Sequence, residues 1–134
     1  MRSNDFGRLT LAALALFAGG CMSMQPTAFP VGTRRLPPKP PQARILLFKD
    51  SAPNRPFEPV ARLNVHIEKT FFIPSAFAEA LPELEKLARQ NGADALMDVA
   101  EKKSRLNETF IYNVTATAVT FSAEPGINAA APGR

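Results

Sequence analysis

Residues 60–69 read Val60-Ala61-Arg62-Leu63-Asn64-Val65-His66-Ile67-Glu68-Lys69, and this stretch decides the fold. Ala61, Leu63, Val65 and Ile67 alternate strictly with Arg62, Asn64, His66 and Glu68, so that one side of an extended chain is apolar and the other polar. That is the period-two signature of a strand with one face buried. The apolar face needs a cover, and the chain supplies one directly downstream.

Past Thr70-Phe71-Phe72-Ile73-Pro74 the period changes from two to 3.6. Phe77, Leu81, Leu84 and Ala88, flanked by Ala80 and Leu87, form an apolar stripe, while Glu79, Glu83, Glu85, Lys86 and Arg89 face water. This is an amphipathic helix for one face of a sheet. Ser75 is the expected N-cap, Glu85 and Arg89 an i,i+4 pair, and Asn91-Gly92 the stop. Pro82 is discordant, since an interior proline removes a hydrogen bond. It implies a kink, or a first turn at residues 75–80 with the main helix starting at Leu81.

Two strands follow, at residues 95–101 and 109–121, joined by the polar turn of residues 102–108. In the last, Phe110, Tyr112, Val114, Ala116 and Ala118 are expected to face the helix, opposite Ile111, Asn113, Thr115 and Thr117. At Val119 and Phe121 the apolar positions become odd, which implies a bulge or twist, or an apolar rim for a partner. Upstream, the apolar run Arg44-Ile45-Leu46-Leu47-Phe48-Lys49 reads as the first strand. The expected order is β-β-α-β-β: an α+β domain over residues 44–121, with an antiparallel-rich sheet and one helix packed on one face. A domain of that size buries only about 60% of its unfolded surface, leaving little room for an internal ligand cavity. Residues 122–134 read as a disordered tail.

Residues 84–99, with Leu84, Leu87 and Ala88 followed by Asn91-Gly92-Ala93-Asp94-Ala95-Leu96-Met97-Asp98-Val99, resemble the helix, Gly-Ala-Asp, strand signature of the YbjQ/RcsF-type small domains. The resemblance implies a lipid-anchored periplasmic domain on a proline-rich basic tether, as in the RcsF branch, working through protein contacts. RcsF-type domains depend on disulfides, and the sole cysteine here, Cys21, lies outside the domain, so their redox-linked role does not carry over. The YbjQ branch is cytoplasmic and ring-forming with a suspected metal link, which the single histidine does not support.

The first 20 residues read as an export leader: Arg2 and Arg8, an apolar run from Leu9 to Ala18, then small residues. The run is about ten residues where a membrane span needs about 20. Ala18-Gly19-Gly20-Cys21 resembles the lipobox of bacterial lipoproteins, with Ala18 where leucine is usual. That resemblance implies cleavage after Gly20 and acylation of Cys21. Two or three acyl chains anchor stably where one does not. In enteric bacteria an aspartate after the cysteine retains a lipoprotein at the inner membrane; here Met22 and Ser23 follow, which implies the outer membrane, facing the periplasm.

Residues 21–43 then read as the lipidated cysteine plus a tether. Pro26, Pro30, Pro37, Pro38, Pro40 and Pro41 fall among small and basic residues, favouring polyproline II and a reach of roughly 60–70 Å. Residues 22–49 carry five basic side chains and no acid, whereas residues 50–134 carry nine basic and eleven acidic ones. The basic pI therefore belongs to an exported linker, a poor match to nucleic acid. Arg34, Arg35, Lys39 and Arg44 are candidates for peptidoglycan carboxylates or anionic lipid.

Motifs for catalysis, phosphate binding and cofactors are lacking, Asp94 and Asp98 are too separated for a carboxylate pair, and His66 reads as a surface residue, so neither metal, cofactor nor enzymatic activity is expected. The expected function is a protein-interaction module for an envelope partner, through Ile111, Asn113, Thr115, Thr117 and Phe121. The alternative is wall or anionic-lipid binding by the tether.

Overall fold

A computed structural model describes residues 21–70 and 73–122. The leader and the tail beyond Ser122 lie outside the described residues. The elements are β1 (Met22–Pro30), β2 (Leu46–Leu47), β3 (Phe57–Lys69), α1 (Phe77–Gln90), β4 (Ala95–Leu106) and β5 (Thr109–Phe121). They form one five-stranded sheet in the order β1-β3-β5-β4-β2, antiparallel except for the β2–β4 pair, with a single helix on one face. The α+β architecture with a helix-covered, antiparallel-rich sheet is as the sequence implies.

The alternation of residues 60–69 is used as expected. Ala61, Leu63, Val65 and Ile67 are buried with Tyr112, Val114, Ala116 and Ala118 beneath Ala80, Leu84 and Ala88. Ala80, Leu84 and Ala88 recur at four-residue spacing, the two small alanines let the helix axis approach the sheet, and fully burying a residue such as Leu84 contributes about 1.5–3 kcal/mol. At the helix start, Lys69 is buried and ion-paired with Glu79. Ala76, not Ser75, is the N-cap: the Glu79 carboxylate reaches back to accept from its N–H at 3.1 Å. Ser75 is buried, and its hydroxyl meets no partner among the described residues. Pro82 lies inside one continuous helix rather than dividing it. The N–H it lacks would serve the carbonyl of Ala78, one turn back, and both residues face solvent, where water can replace the bond.

The largest departure from the sequence reading is at residues 22–43, which are part of the domain and not a tether. Met22 pairs with Lys69 and each following residue stays in register through Pro30 opposite Ala61. Prolines are compatible with this strand because it lies at the sheet edge. The bonds Thr70 N–H to Cys21 O and Val31 N–H to Val60 O put the inward-bonding groups of β1 at odd positions. Pro26 and Pro30 are even, so their missing donors face outward, where they blunt the edge against further pairing. The opposite edge is guarded differently. β2 covers only Ala95 and Leu96, and beyond them β4 carries Lys102, Lys103 and Arg105. The expected strand at residues 44–49 is thus a two-residue parallel strand, with Phe48 N–H adding a bond to Leu96 O.

Residues 31–45 strap the C-terminal end of α1. That end is a Schellman motif, with Gly92 N–H to Arg89 O at 3.0 Å and Ala93 N–H to Ala88 O at 2.9 Å. The strap adds Lys39 N–H to the same Arg89 carbonyl at 2.8 Å, and Arg89 in turn donates to Ala43 O while pairing with Glu85 at 3.8 Å. Asp94, immediately after, closes the junction. Its carboxylate pairs with Lys39 and accepts from Thr120 Oγ1 at 2.9 Å and Phe121 N–H at 2.8 Å. Burial pulls the Asp94 pKa up, but Lys39, the Phe121 amide and the Thr120 hydroxyl together hold it below the ordinary value.

Two outcomes test this junction. Gly92 has φ +72°, and a Cβ there would lie 2.6 Å from Leu36 Cβ and 2.7 Å from Pro37 O, whereas Gly32, at φ +67°, has nothing within 4 Å. Gly92→Ala should lower the unfolding free energy by about 2 kcal/mol or more, and Gly32→Ala by about 1, read as urea midpoints at unchanged slope. A depressed carboxylate stabilises above its unfolded pKa, 3.8 for Asp94, and that contribution is lost as pH falls through the lower folded value. Asp94→Asn should destabilise at neutral pH and remove that part of the acid limb in a pH series of denaturation midpoints.

Candidate binding face

The face of the sheet away from α1 is assembled by cross-strand rows. Ser23, Glu68, Ile111 and Ser104 form one; Gln25, His66, Asn113 and Lys102 the next; Thr27, Asn64, Thr115 and Ala100 the third; Phe29, Arg62, Thr117 and Met97 the fourth. Because side chains directly opposite one another across a ladder share a face, these rows form a four-strand polar surface. Ile111, Asn113, Thr115 and Thr117 are brought together on it, at its centre. The adjoining inner column comes from β3, and the outer ones from β4 and, unexpectedly from sequence, from β1.

Phe121 does not belong to that open surface. It pairs with Phe57, and the two, with Phe48, pack around buried Ala95, Met97 and Val119 in a second apolar cluster that closes one end of the same face. Arg55 lies 4.2 Å over the Phe121 ring. The shift of apolar residues to odd positions therefore marks a strand covered on both sides, with Ala118 facing the helix and Val119 the second cluster. The irregularities fall in the neighbours, between Pro59 and Ala61 of β3 and between Met97 and Ala100 of β4.

The β4 bulge places Asp98 at φ +50°, a conformation open to Asp more readily than to most side chains. Asp98 then lines a groove of about 370 Å³ with Phe29, Arg62, Asn64, Thr115 and Thr117. Phe29 stands 63% exposed at its rim. The groups gathered here are one amide, two hydroxyls, one guanidinium, one carboxylate and one phenyl ring. Their chemistry is recognition by hydrogen bonds, charge and aromatic contact. A wider depression, about 690 Å³, lies between residues 42–48 and the Glu85–Arg89 side of α1.

His66 sits in the second row, its Nδ1 2.7 Å from Asn113 Oδ1 and its Nε2 2.9 Å from Glu68 Oε1. Glu68 is the acidic partner that the sequence reading overlooked: two residues along a strand is a same-face neighbour. The hydrogen bonds to Glu68 and then Asn113 raise the imidazole pKa above its ordinary 6.5. Among the described residues no three His, Cys, Asp or Glu side chains converge as a metal site requires.

Of the four basic residues expected to bind an anionic surface, three have partners within the domain. Lys39 is paired with Asp94, Arg34 with Glu58 at 3.3 Å, and Arg35 donates to the carbonyls of Gly32 and Arg34. Arg44 is exposed beside the wider depression.

Among the described residues the molecule is thus a small α+β domain closed on one sheet face by its helix and, apart from the end covered by the second cluster, open on the other. No family model matches the chain, and no curated protein matches it. Among solved structures it is similar to a Francisella virulence factor, FvfA, in its orthorhombic crystal form, with a TM-score of 0.52 and 16% identity over 72% of this chain and 97% of that one. At that identity the likeness is one of fold.

A group with a raised folded pKa stabilises below its unfolded value, and the contribution is lost as pH rises through the folded one. Stability should therefore decline above pH 6.5 as His66 deprotonates, and His66→Gln should flatten that limb. Denaturation midpoints between pH 6 and 9, with the imidazole followed by NMR titration, check it.

Proposed function

We propose that this protein is a lipid-anchored envelope protein, exported by the leader that ends at Gly20, acylated at Cys21 and facing the periplasm from the outer membrane, and that its open sheet face docks another envelope protein. The anchor rests on the lipobox-like Ala18-Gly19-Gly20-Cys21 and on the exposure of Cys21 at the start of β1. The observation that carries the docking role is the four-strand face, uncovered among the described residues, with Phe29 and Arg62 beside a groove. Aromatic and arginine side chains carry a disproportionate share of interface energy, and a ring of hydroxyls and amides around them suits a polar rim. The wall- or lipid-binding role of the segment holding Arg34, Arg35, Lys39 and Arg44 has less support, since three of the four are engaged within the domain.

Photo-crosslinkers placed at residues 111, 113, 115 and 117 in cells should capture one dominant envelope protein, and one at Lys86 on the outer side of α1 should not. Phe29→Ala or Arg62→Ala should reduce capture about tenfold or more, as loss of an interface anchor does. Equal capture from both faces, or capture indifferent to both substitutions, would exclude the docking role. Cys21→Ala should release the protein from membranes and abolish the acyl mass.

A further inference from the structure

The position of Cys21 fixes how an anchored domain would stand. The last row paired across all four strands is Met22, Lys69, Phe110 and Arg105. One step beyond lie Cys21, Thr70, Thr109 and Leu106, with Leu106 paired to Thr109 and both the N–H and the hydroxyl of Thr70 donating to Cys21 O at 3.3 Å. Nothing flexible separates the cysteine from the sheet.

That same end gathers exposed apolar side chains. Leu106, at the β4–β5 turn, is 65% exposed, Ile73 is 70% exposed, and Met22 is 46% exposed. Across four strands Leu106 is about 14 Å from Cys21, and Ile73 is within about 11 Å of Thr70 by chain length. Lys102, Lys103 and Arg105 stand beside Leu106 on both sides of β4, and Glu108 in the adjoining turn and Glu68, two rows in from the end, offset them only in part. Arg105 is held in place by donating to Asn107 O at 2.7 Å. Large apolar groups flanked by cations, at the end of the molecule where the acyl chains would emerge, match an anionic bilayer surface in both hydrophobicity and charge.

We infer that this end of the sheet docks on anionic phospholipid, with Leu106, Ile73 and Met22 entering the interface and Lys102, Lys103 and Arg105 meeting the phosphates. The strands then rise from the bilayer, and the groove at Phe29 is carried about 27 Å above it, eight residues along β1. The inference rests on the acylation of Cys21 proposed above.

The chain contains no tryptophan, so single probes are unambiguous. Acylated protein carrying Leu106→Trp or Phe29→Trp would be reconstituted into phosphatidylethanolamine–phosphatidylglycerol vesicles with brominated acyl chains. Emission from position 106 should be blue-shifted and quenched, and that from position 29 neither. Reversing Lys102, Lys103 and Arg105 to Glu should abolish the quenching at 106 while the protein stays on the vesicles. A water-like, unquenched signal at 106 on vesicle-bound protein would overturn the docking and leave the anchor intact, and quenching at both positions would mean that the domain lies flat. Absence of the acyl mass at Cys21 would remove the anchor reading and the docking with it.

Discussion

The carboxylate of Asp94 ties together parts of the chain that would otherwise have no reason to meet. It holds Lys39 of the strap with one oxygen and the end of β5, through Thr120 and Phe121, with the other, while its backbone carbonyl accepts from Leu46 at the start of β2. Two residues earlier, Gly92 turns the chain out of the helix at φ +72°, and its lack of a Cβ is what admits the strap so closely. The Gly-Ala-Asp run is therefore a junction. Its glycine gives clearance, its alanine is buried, and its aspartate supplies the polar partner. Helix end, strap and both sides of the sheet depend on it.

The parts legible in sequence were those where one physical signal dominates. Strict alternation at residues 60–69 and helical spacing from Phe77 to Ala88 located β3 and α1, and the parity of β5 correctly assigned Tyr112, Val114, Ala116 and Ala118 to the core. What was missed has a common cause. In residues 22–43 the proline content outweighed a weaker period-two pattern in which Met22, Met24 and Ala28 alternate with Ser23, Gln25 and Thr27. Proline excludes a central strand but not an edge strand whose donors point outward, and a linear sequence does not say which strand is at the edge. Phe121 escapes the sequence for a related reason: alternation identifies a face but not whether Phe57 of the neighbouring strand and the distant Phe48 have covered it.

The candidate site was half visible. Ile111, Asn113, Thr115 and Thr117 come from a strand whose pattern could be read, but Phe29 and Arg62 join them only through the register of β1 against β3. His66 is the opposite case, because the alternation that identifies β3 already puts Glu68 beside it on the polar side, while Asn113 reaches it only through the β3–β5 register. The basic residues of the strap show the reverse: a cluster in sequence that the fold distributes among Asp94, Glu58 and backbone carbonyls.

β1 pairs with residues 31 to 47 positions further along the chain, and the strap bonds to a helix end that is made later still. Loops of this length close slowly compared with the local turn of β4–β5. The amino-terminal segment must therefore remain unpaired while the rest of the chain emerges, and it is added to the sheet as a late step. Before that step Cys21 is at the end of some twenty unstructured residues and has wide reach; afterwards it is a fixed point on a rigid body. Any enzyme that acts on the cysteine meets two different substrates depending on whether it arrives before or after this strand has zipped into place.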